Sequence, residues 1–575
     1  IYSDRRLRGV LETKQAGLLR TFIRRDTFAP ERIPLDEQLL TDFYRSQGYA
    51  DFRVQGVAPE IARERDAFFI TFNISEGPRY RFGRVETISE IPGVDASLFA
   101  EQSRVRRGSF YNPSVIDTSI RRMETIAIQQ GLNFVNIEPR VTRNPENQTL
   151  DLTFALTRGQ RVFVERIDIE GNTTTLDQVI RRQFTTVEGD PFNPREIRNS
   201  AERVRALGYF ADAQVQTREG SSPDQVIVGV NVEEQPTGSL SLGASYGVNS
   251  GVGFNIGLTE QNFLGRGQTL GLQLQTATDD RAAGVTFIEP FFLGRDLRFG
   301  FSANYTETEG LNSDFDTRQI RIQPSLEFPI SANARIELRY RISEDKLSNV
   351  TEDSSALLIA EEGTRLTSSL GYTYNWDSRR TGLDPLTAYR FRFSQDFAGA
   401  GGDTKTITTT ALAGVESTAW RESVTLRCEV EAGAIYTYGD YSTWILDRFR
   451  TGNRVRGFEP NGIGPRDLAA VNEDGLGGNF YWAARGEAQF PIGLPEEYGI
   501  QGGLFVDVGS LWGLDRTIGT GGVPVDDDMY TRAAVGASIF WTTPIGPLRF
   551  NFSQALQKED YDLEQNFDLT IQTNF

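Results

Sequence analysis

The feature that most constrains this chain is an alternation of apolar and polar residues that starts after residue 238 and recurs up to the C-terminus. In its first stretch, Leu240 and Leu242 alternate with Ser241 and Gly243. Because successive side chains of a β-strand point to opposite faces, a period of two predicts strands with one apolar face. The C-terminal part of the chain is therefore expected to be all-β.

The polar face of these predicted strands carries many charges, as at Glu337, Arg339 and Arg341. A soluble sandwich also alternates, but its strands are shorter, and a water-filled lumen with lipid outside explains a long polar face better. About sixteen such strands fit after residue 238, which leaves roughly 21 residues for each strand and its connection. The sequence therefore predicts an all-β transmembrane barrel of about 16 antiparallel strands over residues 238–575.

The composition excludes most catalytic chemistry. The chain has no His and a single Cys, Cys428, so a Ser-His-Asp triad, a His-ligated metal and an internal disulfide are impossible. Residues 243–247 match the G-x-S-x-G pattern of hydrolases, but they lie in an alternating strand and no histidine base exists. No phosphate-binding loop pattern is present. We therefore expect no enzymatic activity, no cofactor and no metal site.

The charge of the chain bears on its partners. The formal net charge is −18, whereas a nucleic-acid surface needs basic patches. Nucleic acid is therefore not an expected partner.

The sequence contains no apolar run long enough for a membrane-spanning helix. A helical membrane protein is therefore excluded.

The first 237 residues repeat a pattern of roughly 80 residues. Each copy has an amphipathic helix, a stop formed by Gly and an aromatic residue, and two strands. Two copies have the same pair of residues before that helix, Asn112-Pro113 and Asn193-Pro194. Asn caps a helix and Pro fits its first turn, so each pair predicts a helix start. We expect units at 1–79, 80–160 and 161–237.

The order of elements in the complete units is strand, helix, helix, strand, strand, which resembles the POTRA domain, a periplasmic module. The first unit lacks the opening strand, so we expect the chain to begin inside a domain. Exposed edge strands of such units can accept an extended peptide by β-augmentation. A rigid spacer is the alternative role, and the sequence leaves both open.

A long segment around 436–479, punctuated by Gly and Pro, interrupts the strands and contains Val455-Arg456-Gly457-Phe458. Together with the repeated units, several segments in this order resemble the BamA family of outer-membrane barrel assembly factors, and the resemblance covers nearly the whole chain. They are Ser222-Pro223-Asp224-Gln225-Val226 before the barrel, Val455 to Phe458, Asn461-Gly462-Ile463-Gly464-Pro465, Gly477-Gly478-Asn479 and Phe505-Val506-Asp507-Val508-Gly509.

The resemblance implies a protein of the bacterial outer membrane, with its N-terminal domains in the periplasm, that folds and inserts other β-barrels. Its implied partners are unfolded barrel clients, accessory outer-membrane lipoproteins, periplasmic chaperones and outer-membrane lipid. A secretion pore with POTRA domains and a translocation module of the TamA type are the alternatives. Family members usually carry five POTRA domains, more than are found here.

The alternation of side chains along two barrel strands gives the motif Val455 to Phe458 two candidate partners. Alternation in the strands around Glu487 and Asp507 places both carboxylates in the lumen, where an inward-folded loop would lie. Arg456 can engage a carboxylate through a planar two-pronged contact that Lys cannot copy. The family resemblance implies the same ion pairing, so we expect Val455, Arg456, Gly457 and Phe458 to form a latch with these carboxylates.

The first and last barrel strands form the second candidate site. Gly243 and Gly247 weaken the first strand, which must pair with the last to close a barrel. We expect the seam to open sideways and offer its edge to an incoming strand, whereas the alternative is that the glycines only permit curvature. The expected seam residues are Leu240, Ser241, Leu242, Gly243, Gly247, Phe567, Leu569, Ile571 and Phe575.

Overall fold

The structure is a computed structural model that describes residues 1–2, 4–13, 32–61, 68–132, 134–159, 162–247, 251–277, 280–309, 315–331, 333–381, 387–419, 424–452, 454–494, 498–543 and 546–571. Within these ranges, none of the helices combines the length and the apolar character that a membrane crossing requires.

The N-terminal part contains short helices and strands in a repeating order. Its elements are α1 (Asp4–Val10), α2 (Ile33–Ser46), β1 (Arg53–Ile61), β2 (Phe68–Ser75), β3 (Arg81–Ser89), α3 (Ala96–Ala100), α4 (Pro113–Gln129), β4 (Val135–Asn144), β5 (Thr149–Arg158), β6 (Phe163–Glu170), α5 (Asp177–Arg181), α6 (Pro194–Ala206), β7 (Phe210–Glu219) and β8 (Gln225–Glu234).

The expected helix starts are confirmed. The Asn112 side chain accepts a hydrogen bond from the backbone N–H of Ser114 at 2.9 Å, and Asn193 accepts one from Arg195 at 3.0 Å. Each satisfies a backbone donor that the first helical turn leaves unpaired. Gly208 then follows α6 with a φ of 71°, a left-handed conformation that suits glycine at a helix end.

Three small sheets among the described N-terminal residues confirm the repeated architecture. In the second unit the strand order is β3-β5-β4, with β3 parallel and β4 antiparallel to β5, and the third unit repeats this as β6-β8-β7. The first unit has β1 paired with β2. The helices cover one face of each sheet, and the buried core of the second unit joins Ile120 and Met123 of α4 to Phe154 of β5. The fold class predicted for this part is confirmed.

In the part of the chain that the structure describes, a single antiparallel sheet of sixteen strands follows, as predicted. Its strands are β9 (Gly238–Gly247), β10 (Gly251–Phe263), β11 (Gln268–Ala277), β12 (Asp280–Glu289), β13 (Arg298–Thr308), β14 (Asp316–Ser331), β15 (Ala334–Ser348), β16 (Gly363–Asp377), β17 (Thr387–Gly402), β18 (Thr406–Ala419), β19 (Val424–Thr437), β20 (Phe480–Phe490), β21 (Ile500–Trp512), β22 (Arg532–Thr543), β23 (Gly546–Gln557) and β24 (Phe567–Ile571). A short helix, α7 (Ala356–Glu361), lies between β15 and β16.

The strands pair in sequence order, so each strand hydrogen-bonds to its neighbours along the chain. Within the described residues, the order begins at β24 and ends at β9, and these two strands are the edges of the sheet. Outward positions carry exposed apolar side chains, among them Leu272, Leu338 and Leu504, whereas Arg339 and Asp507 on the other face are buried. The architecture is that of a barrel wall with an apolar outside and a polar inside.

The third unit is fixed to the barrel at the turn between β10 and β11. The Asn262 side chain donates to the Thr175 hydroxyl at 2.9 Å, and the backbone N–H of Leu176 donates to the Gly265 carbonyl at 2.8 Å. Gly265 has a φ of 69°, and a Cβ there would lie 1.9 Å from the Thr174 carbonyl oxygen. Only glycine therefore allows this close approach. The segment Ser222-Pro223-Asp224-Gln225-Val226, expected just before the barrel, instead leads from β7 into β8.

Glu234 at the end of β8 holds the loop that touches the barrel. Its carboxylate accepts hydrogen bonds from the Thr173 hydroxyl at 2.7 Å and from the backbone N–H groups of Thr174 and Thr175, the latter at 2.6 Å. Desolvation raises the pKa of this carboxyl, but the hydrogen bonds outweigh it and lower the pKa to about 2. The carboxylate is therefore ionised at neutral pH and pins this loop.

At the opposite end of the barrel, the long loops pack on one another. Trp444 and Ile445 of the loop after β19 form a buried cluster with Leu358 of α7 and with Val525. Arg448 and Glu361 form an ion pair inside this cap, and both side chains are buried. The loop that carries the candidate latch is thus held to the other loops before it turns into the barrel.

Candidate functional site: an inward loop and two barrel edges

The segment between β19 and β20 places residues 455–458 against the inner barrel wall. Val455 and Phe458 are buried together with Ile463 of the same loop, and this cluster includes Ala483 of β20 and Ala534 of β22. The apolar contacts fix the loop on two sides of Arg456. The arginine is therefore presented to the wall in one orientation.

Arg456 uses every nitrogen of its guanidinium group. Its Nε donates to Asp507 Oδ2 at 2.6 Å and its Nη2 donates to Asp507 Oδ1 at 2.7 Å, while Nη1 donates to Glu487 Oε2 at 2.7 Å. The backbone N–H of Arg456 also donates to Asp507 Oδ2, at 3.1 Å. The structure thus pairs the arginine with both carboxylates that the alternation of the strands predicts to face the lumen. The contact between the guanidinium group and Asp507 is bidentate.

The ion pairs are shielded from solvent. The side chains of Arg456, Glu487 and Asp507 are 10%, 9% and 0% exposed. Glu487 also contacts Arg549 of β23 and lies 3.8 Å from Arg427 of β19. The loop arginine therefore completes a charge network that spans four barrel strands, from β19 through β20 and β21 to β23.

One partner of Arg456 is missing from the sequence-based prediction. The guanidinium carbon lies 3.6 Å from the centre of the Phe505 ring, so the cation stacks on an aromatic face. Phe505 is two residues before Asp507 on β21 and therefore points to the same, inner side of the strand. An aromatic residue at a position where alternation predicts a polar one was the signal that could have revealed it.

The latch loop also binds the segment that leads into the last strand. The backbone N–H of Gln565 donates to the Gly457 carbonyl at 3.0 Å. The N–H of Glu459 donates to the Leu563 carbonyl at 3.0 Å, and the N–H of Leu563 donates to the Gly462 carbonyl at 2.9 Å. Because β24 begins at Phe567, the loop holds the chain just ahead of one barrel edge.

Most candidate seam residues lie on the two edge strands. Leu240, Ser241 and Leu242 of β9 are exposed, as are Phe567 and Leu569 of β24. Gly247 pairs with Gly251, and Ile571 pairs with Leu548. Phe575 falls outside the described residues. The structure thus brings the latch residues together, but among the described residues it shows no pairing between the two groups of seam residues.

Gly243 has a local role in addition to any effect on strand stability. A Cβ at this position would lie 2.0 Å from Oδ1 of Asn255, its register partner on β10. The absence of a side chain therefore makes room for the Asn255 amide on the same face of the sheet. A side chain at 243 would therefore require the Asn255 amide to move.

Gly457 provides a test of the loop position. Its φ is 94°, and a Cβ would lie 3.0 Å from the Cβ of Ala534. The Gly457→Ala variant is expected to lose about 1 to 3 kcal/mol of unfolding free energy from backbone strain and from displacement of the loop. The matched control is Gly452→Ala in the same loop, where φ is 47° and no atom lies within 4 Å of the added Cβ. Equal unfolding free energies for the two variants would show that contact with Ala534 is unimportant.

Two protein families match the two parts of the chain. The POTRA family, described as a surface antigen variable number repeat, matches residues 1–77 and 162–235. The Omp85 superfamily domain matches residues 262–575. The POTRA matches cover the first and third units, and the Omp85 match covers the sixteen-stranded sheet from the end of β10 onward.

Two relatives and one solved structure match most of the chain. The outer membrane protein assembly factor BamA of Neorickettsia risticii is 31% identical over 557 residues, which cover 96% of this chain and 74% of that protein. BamA of Neisseria meningitidis serogroup B is 23% identical over 620 residues, covering 100% of this chain and 77% of that protein. The crystal structure of BamA from Haemophilus ducreyi lacking POTRA domains 1-3 has a TM-score of 0.61 at 20% identity and covers 85% of this chain and 99% of that chain, which supports the fold. The resemblance predicted from sequence motifs is confirmed: the chain belongs to the BamA family of outer membrane protein assembly factors, within the Omp85 superfamily.

Proposed function

We propose that this outer-membrane assembly factor folds and inserts client β-barrels through a lateral seam between β9 and β24. The protein lies in the outer membrane with its POTRA domains in the periplasm. The observation that carries the proposal is that β9 and β24 stand at the two ends of the hydrogen-bonded strand order. An unpaired strand edge offers a row of N–H and C=O groups to an incoming strand.

The glycines of one edge strand support a seam that opens. Strand β9 carries glycines at 238, 243 and 247. Glycine lowers the stability of a strand through backbone entropy and lost side-chain contacts. Strand β9 is thus suited to exchange its partner for a client strand.

We assign a latch role to Val455, Arg456, Gly457 and Phe458 with Glu487 and Asp507. The buried ion pairs fix the loop to β20 and β21, and the loop in turn holds residues 563–565 next to β24. In this proposal the latch sets the position of the last strand, whereas the client contacts lie at the seam. No nucleotide or cofactor enters the mechanism, because folding of the client supplies the free energy.

We further propose that the POTRA domains, with limits at 1–79, 80–160 and 161–237, receive the clients and their carriers. Strands β3 and β4 form the edges of the second sheet, and β6 and β7 form those of the third. Val141 on β4 is an exposed apolar side chain at such an edge. Unfolded clients, periplasmic chaperones and accessory lipoproteins are the partners that these edges fit.

Depletion of the protein in its own cells tests the assembly function. We expect a general loss of folded β-barrels from the outer membrane, measured by quantitative mass spectrometry of purified membranes. The control is re-expression of the intact chain from a second locus, which should restore the whole set. Loss of one exported protein with unchanged levels of barrels would instead support a secretion pore.

A further inference from the structure

Two turns of the barrel share a sequence and an unusual backbone conformation. The turn between β10 and β11 reads Phe263-Leu264-Gly265-Arg266, and the turn between β12 and β13 reads Phe292-Leu293-Gly294-Arg295. Leu264 has a φ of 54° and Leu293 has a φ of 56°. Leucine rarely adopts this left-handed conformation, because its Cβ approaches the neighbouring carbonyl group.

Packing does not explain why leucine occupies these positions. The side chains of Leu264 and Leu293 are 69% and 79% exposed. Glycine would adopt the same backbone without strain, and an exposed polar residue would avoid contact between an apolar side chain and water. Strained and exposed apolar residues at matching positions of two turns point to contact with something outside the chain.

The surroundings of the turns place them at the periplasmic membrane boundary. The first turn touches the third POTRA domain through Gly265, and Arg182 of that domain stacks on Phe291 beside the second turn at 4.4 Å. Phe292 stacks on Phe299, which belongs to the apolar face of β13, with 5.2 Å between the ring centres. The turns therefore have periplasmic protein on one side and the apolar barrel surface on the other.

A cation accompanies each exposed leucine. Arg266 and Arg295 are exposed, and neither forms an ion pair with another part of the chain that the structure describes. Apolar side chains next to arginine are typical of groups that sit at a membrane interface, where the apolar part contacts acyl chains and the cation contacts headgroups. Guanidinium matches phosphate in both charge and geometry.

We propose that these two turns anchor the barrel in the periplasmic leaflet of the outer membrane. Leu264 and Leu293 insert among the phospholipid acyl chains, and Arg266 and Arg295 bind the headgroup phosphates. The anchors connect β10 to β11 and β12 to β13, so they lie on the β9 side of the sheet. They hold that side to the bilayer, and β24 moves relative to it when the proposed seam opens.

Spin labels in phospholipid nanodiscs test the anchors with the full chain. In a Cys428→Ser background, Leu264→Cys and Leu293→Cys are each labelled with a nitroxide. We expect strong relaxation by oxygen, which concentrates in hydrocarbon, and loss of collisions with a water-soluble nickel complex. The control label is at Val187→Cys, an exposed apolar position of the third POTRA domain. Adding Arg266→Gln and Arg295→Gln should restore part of the nickel collisions.

An equal nickel accessibility at the turns and at Val187→Cys would overturn the proposal and indicate a water-filled surface for a protein partner. Unfolding in the same nanodiscs gives a second readout. Leu264→Gly and Leu293→Gly remove backbone strain, yet each should lower the folded-to-unfolded ratio by roughly tenfold or more through lost burial in lipid. Gln148→Gly, at a left-handed position of the second POTRA domain with φ 50°, should leave this ratio unchanged or raise it. The proposal fails if the leucine variants behave like Gln148→Gly.

Discussion

Replacing Arg456 with alanine is expected to lower the free energy of unfolding by about 3 to 5 kcal/mol, the usual cost of removing one partner from a buried ion pair. Asp507 is fully buried and loses the two hydrogen bonds from the Arg456 guanidinium group, and Glu487 loses one. The backbone donor at 456 remains, but the loop is no longer held to β20 and β21. Denaturant unfolding of the purified barrel, together with heat-dependent mobility on gels, measures the loss.

The comparison with other variants separates the latch from general charge effects. Arg427→Ala removes a cation that lies 3.8 Å from the same Glu487 but is 45% exposed, so it should cost at most about 1 kcal/mol. Arg456→Lys keeps the charge but cannot reproduce the two-pronged contact or the stacking on Phe505, and an intermediate loss is expected. Asp507→Ala combined with Arg456→Ala should cost less than the sum of the single variants, because no buried charge is left unpaired. Wild-type stability and activity of Arg456→Ala would contradict the latch role.

Much of this architecture follows from local patterns in the sequence. The period of two predicts the sixteen strands because a barrel wall has a different environment on each face. Asn112-Pro113 and Asn193-Pro194 predict helix starts because capping depends on residues close in sequence. The inward orientation of Glu487 and Asp507 also follows from alternation, since each lies in a regular strand.

Contacts between distant, irregular segments could not be predicted in this way. Residues 457–462 pair with residues 563–565 through backbone groups, and backbone hydrogen bonding leaves little trace in side-chain type. The same holds for the contact of Gly265 with Leu176, where the sequence shows a glycine but not its neighbour. Phe505 departs from the alternation, yet the pattern does not show that a cation from a loop about 50 residues earlier stacks on it.

These irregular contacts connect the two candidate sites. The ion pairs of Arg456 hold the loop, and the loop holds the segment that enters β24, so a weakened latch should also change the position of the last strand. Energetic coupling of this kind requires an element with two arrangements. In our proposal that element is β24, either held beside β9 or moved away from it.

Locking the two edge strands together is expected to abolish client insertion. A cysteine-free background is available, because Cys428→Ser removes the single cysteine of the chain. Ser241→Cys on β9 and Asp568→Cys on β24 both occupy the inner face, where the Asp568 carboxylate accepts a hydrogen bond from Asn551 at 3.0 Å. A disulfide forms only when the two Cα atoms come within about 7 Å, so the crosslinking yield in membranes also measures how often the edges meet.

The matched control uses the same cysteine on the other side of β9. Ser241 is the register partner of Gly257 on β10, and a Cβ at 257 would lie 2.5 Å from the Ser241 hydroxyl. A disulfide between Ser241→Cys and Gly257→Cys therefore joins strands that are already paired and should leave client insertion intact. Reduction should restore activity to the Ser241→Cys, Asp568→Cys pair, which would exclude a folding defect. If the oxidised seam pair kept full insertion activity in cells, clients would have to enter the membrane by a route other than the edges of β9 and β24.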